Sequence, residues 1–165
     1  MKILSWNVRG LGQPRTVRRL KIKLRHIRPQ ILFLMETKVT SKRMETIKRQ
    51  CGFMNEIDVD AEGTRGGLSV GWREGLNLTL KSFSRSHIDV AEKEQNEMET
   101  WRFTGFYGAP MDHDRRESWE LLRFLKRGNN KPWLTSEILM KYYFLLKNKR
   151  EELERKDRWL RLGKH

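Results

Sequence analysis

Three polar side chains, Asn7, Glu36 and Tyr107, follow apolar segments of the sequence, and their chemistry suits a reaction on a phosphate ester. A Mg²⁺ ion is bound through one or two carboxylates, while phosphate oxygens and waters complete its shell. Glu36 can supply such a carboxylate. Asn7 could hold a phosphate oxygen or orient the carboxylate, and Tyr107 could hydrogen-bond a phosphate or assist proton movement. Taken singly, each has an ordinary alternative: a turn-forming Asn, a surface Glu and a packed Tyr.

Two strands are predicted to deliver the first two of these side chains. Residues 2–6 form a short apolar run that ends at Asn7, and the glycines and proline of RGLGQP predict a loop after it. The continuous apolar run at residues 31–35 predicts a strand buried on both faces. Glu36 stands at the carboxyl end of this second strand.

Two basic helices are predicted beside these strands. Apolar residues at three- and four-residue spacing predict a helix from Pro14 to about Ile27, which Pro29 ends. The segment SKRMETIKRQ predicts a second helix with Ser41 as its cap and Gly52 as its stop.

After residue 52 the apolar residues alternate, which predicts a series of antiparallel strands. The alternating segments are FMNEIDVD, LSVGW, LNLTLKSF, HIDVAE and TWRFTGFY. Helical spacing resumes at residues 118–126, where Trp119, Leu122 and Leu125 share one face.

The tail at residues 136–160 predicts one long helix, apolar in its first half and charged in its second. Leucines recur there every seven residues, at Leu139, Leu146, Leu153 and Leu160. The stripe is one residue wide, which favours a helix packed on its own domain over a coiled coil. Self-association through residues 136–165 stays open as an alternative.

The charge distribution favours a polyanionic partner. Residues 1–50 carry 14 Lys and Arg against 2 Asp and Glu (+12), within a chain of net charge +14. A basic segment of this kind favours contact with phosphates.

Cys51, the single cysteine, predicts a reducing intracellular compartment and a small buried side chain. The sequence has neither a signal peptide nor the roughly 20 apolar residues of a membrane helix.

Five phrases in order, SWNVRGLG, FLMETK, EGTRGGLSVGW, GFYGAP and ESWELL, resemble the endonuclease/exonuclease/phosphatase family. The likeness is greatest to the N-terminal endonuclease domain of plant LINE-type retrotransposons and covers residues 1 to about 134. The resemblance implies Mg²⁺-dependent cleavage of DNA phosphodiesters. It implies that Asn7 is an active-site amide, Glu36 the metal ligand and Tyr107 a phosphate-contacting residue of the catalytic site.

The sequence departs from the family pattern at three points. Members of the family continue after a phrase like KPWL with a Gly-Asp-Phe-Asn motif, whereas this chain continues TSEIL. The later Asp-His pair of the family is absent, and none of the four histidines, His26, His87, His113 and His165, stands in a matching phrase. Arg9 stands where many relatives outside the retrotransposon group have an Asp on the metal side of the site. We therefore expect weakly or vestigially bound Mg²⁺ and little or no nuclease activity.

The resemblance implies an α+β fold: a partial αββα four-layer sandwich with one mainly antiparallel sheet and flanking helices, plus a long C-terminal helix. The predicted domains are a partial endonuclease-like domain at residues 1–134 and an unrelated helical tail at residues 135–165. A chain with half of the sandwich would leave the inner face of its sheet open to water. Either the apolar segment at residues 138–146 folds back as a helix and covers that face, or the chain dimerises or aggregates.

Three hypotheses follow. The first is a truncated DNA endonuclease domain of retrotransposon origin. The second is a noncatalytic nucleic-acid binder that uses the basic helices at residues 14–28 and 41–50, with DNA favoured over RNA. The third is an interaction protein built on the charged tail. The nucleus is favoured over the cytoplasm as its location.

Overall fold

A computed structural model describes residues 1–63, 65–94, 98–108 and 115–137 of the chain. These residues form three helices and eight strands. In chain order they are β1 (Ile3–Asn7), α1 (Pro14–Ile27), β2 (Ile31–Met35), α2 (Ser41–Gln50), β3 (Asn55–Glu62), β4 (Arg65–Trp72), β5 (Leu78–Ser84), β6 (His87–Lys93), β7 (Glu99–Phe106), α3 (Arg115–Lys126) and β8 (Trp133–Glu137). The five alternating segments of the sequence are all strands.

The first sheet has the strand order β1-β2-β4-β3. Strands β1 and β2 are parallel, because α1 crosses back between them, and Asn7 is in register with Met35. β4 pairs antiparallel with both β2 and β3. All five residues of β2 are buried, as the continuous apolar run predicted.

A second four-stranded sheet has the order β5-β6-β7-β8. Its first three strands form an antiparallel meander, and α3 connects β7 to the parallel strand β8. The expected α+β sandwich is confirmed, but it has two four-stranded sheets where one mainly antiparallel sheet was expected. Alternation within each segment predicts a strand but carries no information about which sheet it joins.

Helices α1 and α2 pack on the outer face of the first sheet. Pro14 begins α1, and Arg28 ends it in the left-handed conformation. Thr40 caps α2, because its hydroxyl accepts a hydrogen bond from the Arg43 amide, so the prediction of Ser41 as the cap is wrong. The apolar sides of both helices join the residues of the first sheet in one core: Val8, Leu11, Val17, Leu20, Leu24, Leu32, Leu34, Met44, Ile47 and Phe53.

A second core fills the space between the two sheets. It contains Ile31, Phe33, Met35, Leu68, Val70, Trp72, Leu78, Ile88, Val90 and Phe103. Phe33 of β2 meets Phe103 of β7 edge to face, with ring centroids 6.2 Å apart. The expectation of an open inner face is wrong, since β5 to β8 cover it. Leu134 of the edge strand β8 lies on this inner face and remains 48% exposed.

The outer face of the second sheet carries a buried polar cluster beneath α3. The Asp89 carboxylate accepts hydrogen bonds from Arg102 and Thr104, and a second Arg102 nitrogen donates to the Leu125 carbonyl of α3. The helix predicted at residues 118–126 is confirmed within α3; its Leu125 is buried, whereas Trp119 is 49% exposed. The described residues therefore form four layers: α1 and α2, two sheets, and α3.

The predicted boundary between residues 134 and 135 falls within β8. Ser136 and Glu137 are strand residues, so the helix prediction is wrong for these two. Residues 138–165, which include the proposed covering segment and the four spaced leucines, lie outside the described residues. Within the described ranges, none of the helices has the length and apolar character needed to span a membrane.

Candidate functional site

The parallel pairing of β1 and β2 brings Asn7 and Glu36 to the same edge of the first sheet. Asn7 is the last residue of β1, and Glu36 follows the last residue of β2. The Val8 amide donates a hydrogen bond of 3.0 Å to the Met35 carbonyl, which ties the two strand ends together. The Asn7 side-chain oxygen accepts a hydrogen bond from the Arg9 amide at 3.1 Å.

Left-handed backbone is concentrated in the two loops that leave these strands. Arg9, Glu36 and Lys38 have φ angles of 54°, 52° and 54°. A non-glycine residue in this region costs roughly 1–2 kcal/mol. Such residues persist where the surrounding structure fixes them, and they cluster at functional sites.

Hydrogen bonds between the loops hold this conformation. The Gly10 amide donates to the Glu36 carbonyl at 2.7 Å, and the Leu11 amide donates to the Thr37 carbonyl at 2.8 Å. On the other side, the Thr37 amide donates to the Gly67 carbonyl of β4 at 3.1 Å. Gly67 has a φ of 86°, and a Cβ atom there would overlap the Thr37 hydroxyl. The backbone at Glu36 is therefore fixed from both sides.

Tyr107 reaches the same place from the second sheet. It follows the last residue of β7, and its amide donates a hydrogen bond of 2.7 Å to the Ser86 carbonyl. The ring packs against the core between the sheets. The phenol donates a short hydrogen bond to the Glu36 Oε1 atom, across 71 residues of sequence. The structure thus brings together the three residues that the sequence singled out.

Burial is the main cause that raises the pKa of Tyr107, and the hydrogen bond to Glu36 and the charge of that carboxylate act in the same direction. The nearby Arg9 charge opposes them. The phenol is therefore protonated at neutral pH, and Tyr107 acts as a hydrogen-bond donor that orients Glu36.

Two cations act on the pair formed by Glu36 and Tyr107. The Lys38 Nζ atom lies 3.9 Å from Glu36 Oε2, and the Arg9 charge opposes the rise in the pKa of Tyr107. The Glu36 side chain is 13% exposed and that of Lys38 is 38% exposed. A carboxylate beside two cations suits a ligand that brings its own negative charge. Lys38 is the last residue of the phrase FLMETK, and its position two residues after Glu36 is the sequence signal for its place beside that carboxylate.

The donors present fit Mg²⁺ if a phosphate supplies further ligands. Glu36 offers a hard carboxylate oxygen, and Mg²⁺ is commonly held by one or two carboxylates together with substrate phosphates and waters. Within the part of the chain that the structure describes, no three His, Cys, Asp or Glu side chains are grouped so that they could hold a metal. The site therefore suits a cation that binds together with its phosphate ligand.

The two described histidines lie away from this site. His26 is exposed on α1. His87 is buried on the outer face of β6, opposite the face that Tyr107 occupies, and its ring nitrogens contact the Ser82 and Ser84 hydroxyls at 3.0 and 2.7 Å. Burial lowers the pKa of the His87 imidazole, against the effect of Asp89. His113 and His165 lie outside the described residues.

Comparison with solved structures identifies the fold. An AP endonuclease from Archaeoglobus fulgidus has 18% identity and a TM-score of 0.57, over 82% of this chain and 56% of that one. The endonuclease domain of TRAS1, a telomere-specific non-LTR retrotransposon, has 14% identity and a TM-score of 0.60, over 82% and 58%. The human nocturnin catalytic domain has 10% identity and a TM-score of 0.58, over 83% and 63%. No family model and no curated protein matches the sequence.

These likenesses show that the chain has the fold of the endonuclease/exonuclease/phosphatase family, as the sequence resemblance implied. The chain spans between 56% and 63% of the lengths of the three solved chains.

Proposed function

We propose that this chain is a nuclease-type domain whose site at Glu36 binds Mg²⁺ together with a nucleic-acid phosphate. The observation that carries the proposal is the hydrogen bond from the Tyr107 phenol to the Glu36 carboxylate. It joins the carboxyl ends of β2 and β7, from two different sheets, at a place where backbone strain and two cations also converge.

Each side chain has a distinct role in this proposal. Glu36 holds the cation. Tyr107 orients the Glu36 carboxylate by donating a hydrogen bond to its Oε1 atom. Asn7 orients the loop through the Arg9 amide and offers its side-chain nitrogen to a phosphate oxygen. Lys38 and Arg9 balance the charge of the phosphate. A bound Mg²⁺ would polarise the phosphodiester and stabilise the charge that develops during its cleavage.

We propose further that catalysis by this chain is slight. Phosphodiester hydrolysis needs a group that activates the water, which contributes about 10²–10⁴-fold to the rate. Neither described histidine reaches the site: His26 is exposed on α1, in the outer helical layer, and His87 is on the opposite face of its sheet. Tyr107, which stays protonated, is not a base at neutral pH.

The proposed substrate is DNA, and the proposed origin is a retrotransposon endonuclease of the plant LINE type. Support comes from the quoted sequence phrases and from the shared fold with a retrotransposon endonuclease domain. A domain of this kind would meet its substrate in the nucleus.

The test is a comparison of wild type, Glu36→Gln and Glu120→Gln. The Glu36→Gln variant keeps an oxygen that can accept from Tyr107 but loses the charge that attracts Mg²⁺. Glu120 is exposed on α3 and serves as the control for removal of one carboxylate. We expect Mg²⁺ to raise the affinity for a short DNA duplex about tenfold in wild type and in Glu120→Gln, and to have no effect in Glu36→Gln. Fluorescence anisotropy with Mg²⁺ or with EDTA measures this.

Relaxation of supercoiled DNA measures catalysis in the same three proteins. We expect none of them to exceed a protein-free control. An equal effect of Mg²⁺ on the affinity of all three would overturn the metal assignment. Relaxation by wild type that Glu36→Gln abolishes would support that assignment and overturn the proposal of slight catalysis.

A further inference from the structure

A groove between α1 and α2 crosses the outer face of the first sheet. Two adjoining cavities of about 630 and 350 Å³ form it, and both are lined by Lys21 and Gln50. The cations along it are Arg18, Lys21, Arg25, Arg28, Arg43 and Arg73. The lining contains no carboxylate among the residues that the structure describes.

This groove is distinct from the site at Glu36. Its larger cavity is lined by Gln30, which precedes β2, and by Arg73, which follows β4. Glu36 lies at the other end of β2, a strand of five residues that is about 16 Å long. The length of the first sheet therefore separates this larger cavity from Glu36.

Two half-buried cations, Lys21 and Arg73, hold the walls of the groove in position, and its other four cations are exposed. Lys21 of α1 donates a hydrogen bond to the Gln50 side chain of α2 at 2.9 Å. The Arg73 guanidinium donates to the Pro29 carbonyl at 3.0 Å and lies 4.8 Å from the centroid of the Phe53 ring. Within the described residues, none of the six cations forms a salt bridge with a carboxylate.

We propose that this groove binds the phosphate backbone of a nucleic-acid strand. Helix α1 has 14 residues and is about 21 Å long. One strand of a duplex carries a phosphate about every 3.4 Å of the duplex axis and winds round that axis, so a groove of this length faces several successive phosphates and presents its row of six cations to them. Five of the six are arginines, whose planar guanidinium groups bind phosphate oxygens through two parallel hydrogen bonds.

An elongated row of cations favours a polymer over a small anion, since a single phosphate could contact only part of it. Leu20, Leu24 and Met44 are buried in the core, and Ile22, the large apolar residue of these two helices that is exposed (49%), does not line the groove, so the groove offers no apolar side chain for insertion into a lipid surface. The inference shares the substrate class of the proposed function but does not depend on metal binding at Glu36.

The test uses two triple variants with the same change in net charge. Arg18, Arg25 and Arg43 are exposed in the groove, and all three are replaced by Gln in the first variant. In the control, Arg123, Lys126 and Arg127, which are exposed on and after α3, are replaced by Gln. Binding of a fluorescein-labelled DNA duplex is measured by anisotropy in EDTA from about 50 to 200 mM salt.

The slope of log K against log salt is negative, and we expect its magnitude to decrease by about 2.7 in the groove variant, since each lost phosphate contact removes about 0.9. The control should keep the wild-type slope. Equal slopes in all three proteins, or equal decreases in both variants, would overturn the proposal.

Circular dichroism verifies that both triple variants are folded. If the groove variant is not folded, the single variant Arg18→Gln replaces it, with an expected decrease of about one in the magnitude of the salt slope. Because EDTA removes Mg²⁺, failure of the metal site leaves this result unaffected. An RNA duplex of the same sequence shows whether the groove distinguishes the two polymers; equal binding supports recognition of the backbone.

Discussion

At the scale of single residues, the hydrogen bond between Tyr107 and Glu36 gives a pH-dependent prediction. Tyr107→Phe should lower the free energy of unfolding by about 1–2 kcal/mol at pH 8, because the carboxylate loses a half-buried donor. The native pKa of Tyr107 is raised, so the native state keeps a proton that the unfolded chain loses above about pH 10. The stabilisation is therefore fully present below about pH 10 and declines above it.

Urea unfolding of wild type and Tyr107→Phe from pH 8 to 11 measures this difference, and the variant itself is the control for every other titrating group. The gap between the two proteins should narrow above about pH 10. A gap that stays constant would show that the phenol ionises equally in the native and unfolded states.

The identity of the site residues was accessible from the sequence, but their surroundings were not. Asn7, Glu36 and Tyr107 were found because they occur in phrases of a known family and at the ends of apolar segments. The left-handed backbone at Arg9 and Lys38 carries no such signal, because it results from hydrogen bonds between loops that lie far apart in sequence. Their contribution to the charge of the site could be seen only in three dimensions.

At the scale of elements, the close approach of β2 and β7 depends on a glycine. A Cβ atom at Gly105 would lie 2.5 Å from the Phe33 ring, which is buried and cannot move away. Gly105→Ala should therefore lower the free energy of unfolding by about 1–3 kcal/mol through overpacking. Gly12→Ala is the control, since nothing lies within 4 Å of a Cβ atom there. Thermal or urea unfolding measures both, and equal small effects would show that the sheets separate easily at this point.

Helix and strand positions were predictable wherever the apolar spacing was regular. Helix α1 occupies the predicted range because Val17, Leu20 and Leu24 repeat at helical spacing and Pro14 opens it. Strand β8 was not predicted: its sequence WLTSE is weakly apolar, and it is a strand because β7 offers it hydrogen bonds. The Thr40 cap was missed because Ser41 is an equally suitable residue type.

At the scale of the whole molecule, the sequence indicated the fold through the family resemblance and misjudged how the layers are completed. The expected open face assumed that the alternating segments belong to one sheet. The pattern of Ile88, Val90 and Phe103 equally suits a second sheet facing the first, and the structure shows that arrangement. Register and pairing depend on contacts between distant residues, and periodicity does not encode them.

The shared core predicts that the two sheets unfold together. Ile88 of β6 is fully buried against residues of both sheets, so Ile88→Val should lower the free energy of unfolding by about 0.5–1.5 kcal/mol. If unfolding is a single cooperative step, amide exchange of the most protected residues should accelerate by the same factor in β2 as in β6.

The control is Ile22→Val, because Ile22 is 49% exposed on α1 and its replacement should change stability by less than about 0.5 kcal/mol. Faster exchange confined to β5–β8 would mean that the second sheet opens by itself; Tyr107 would then leave Glu36 in that open state, because their hydrogen bond spans the two sheets.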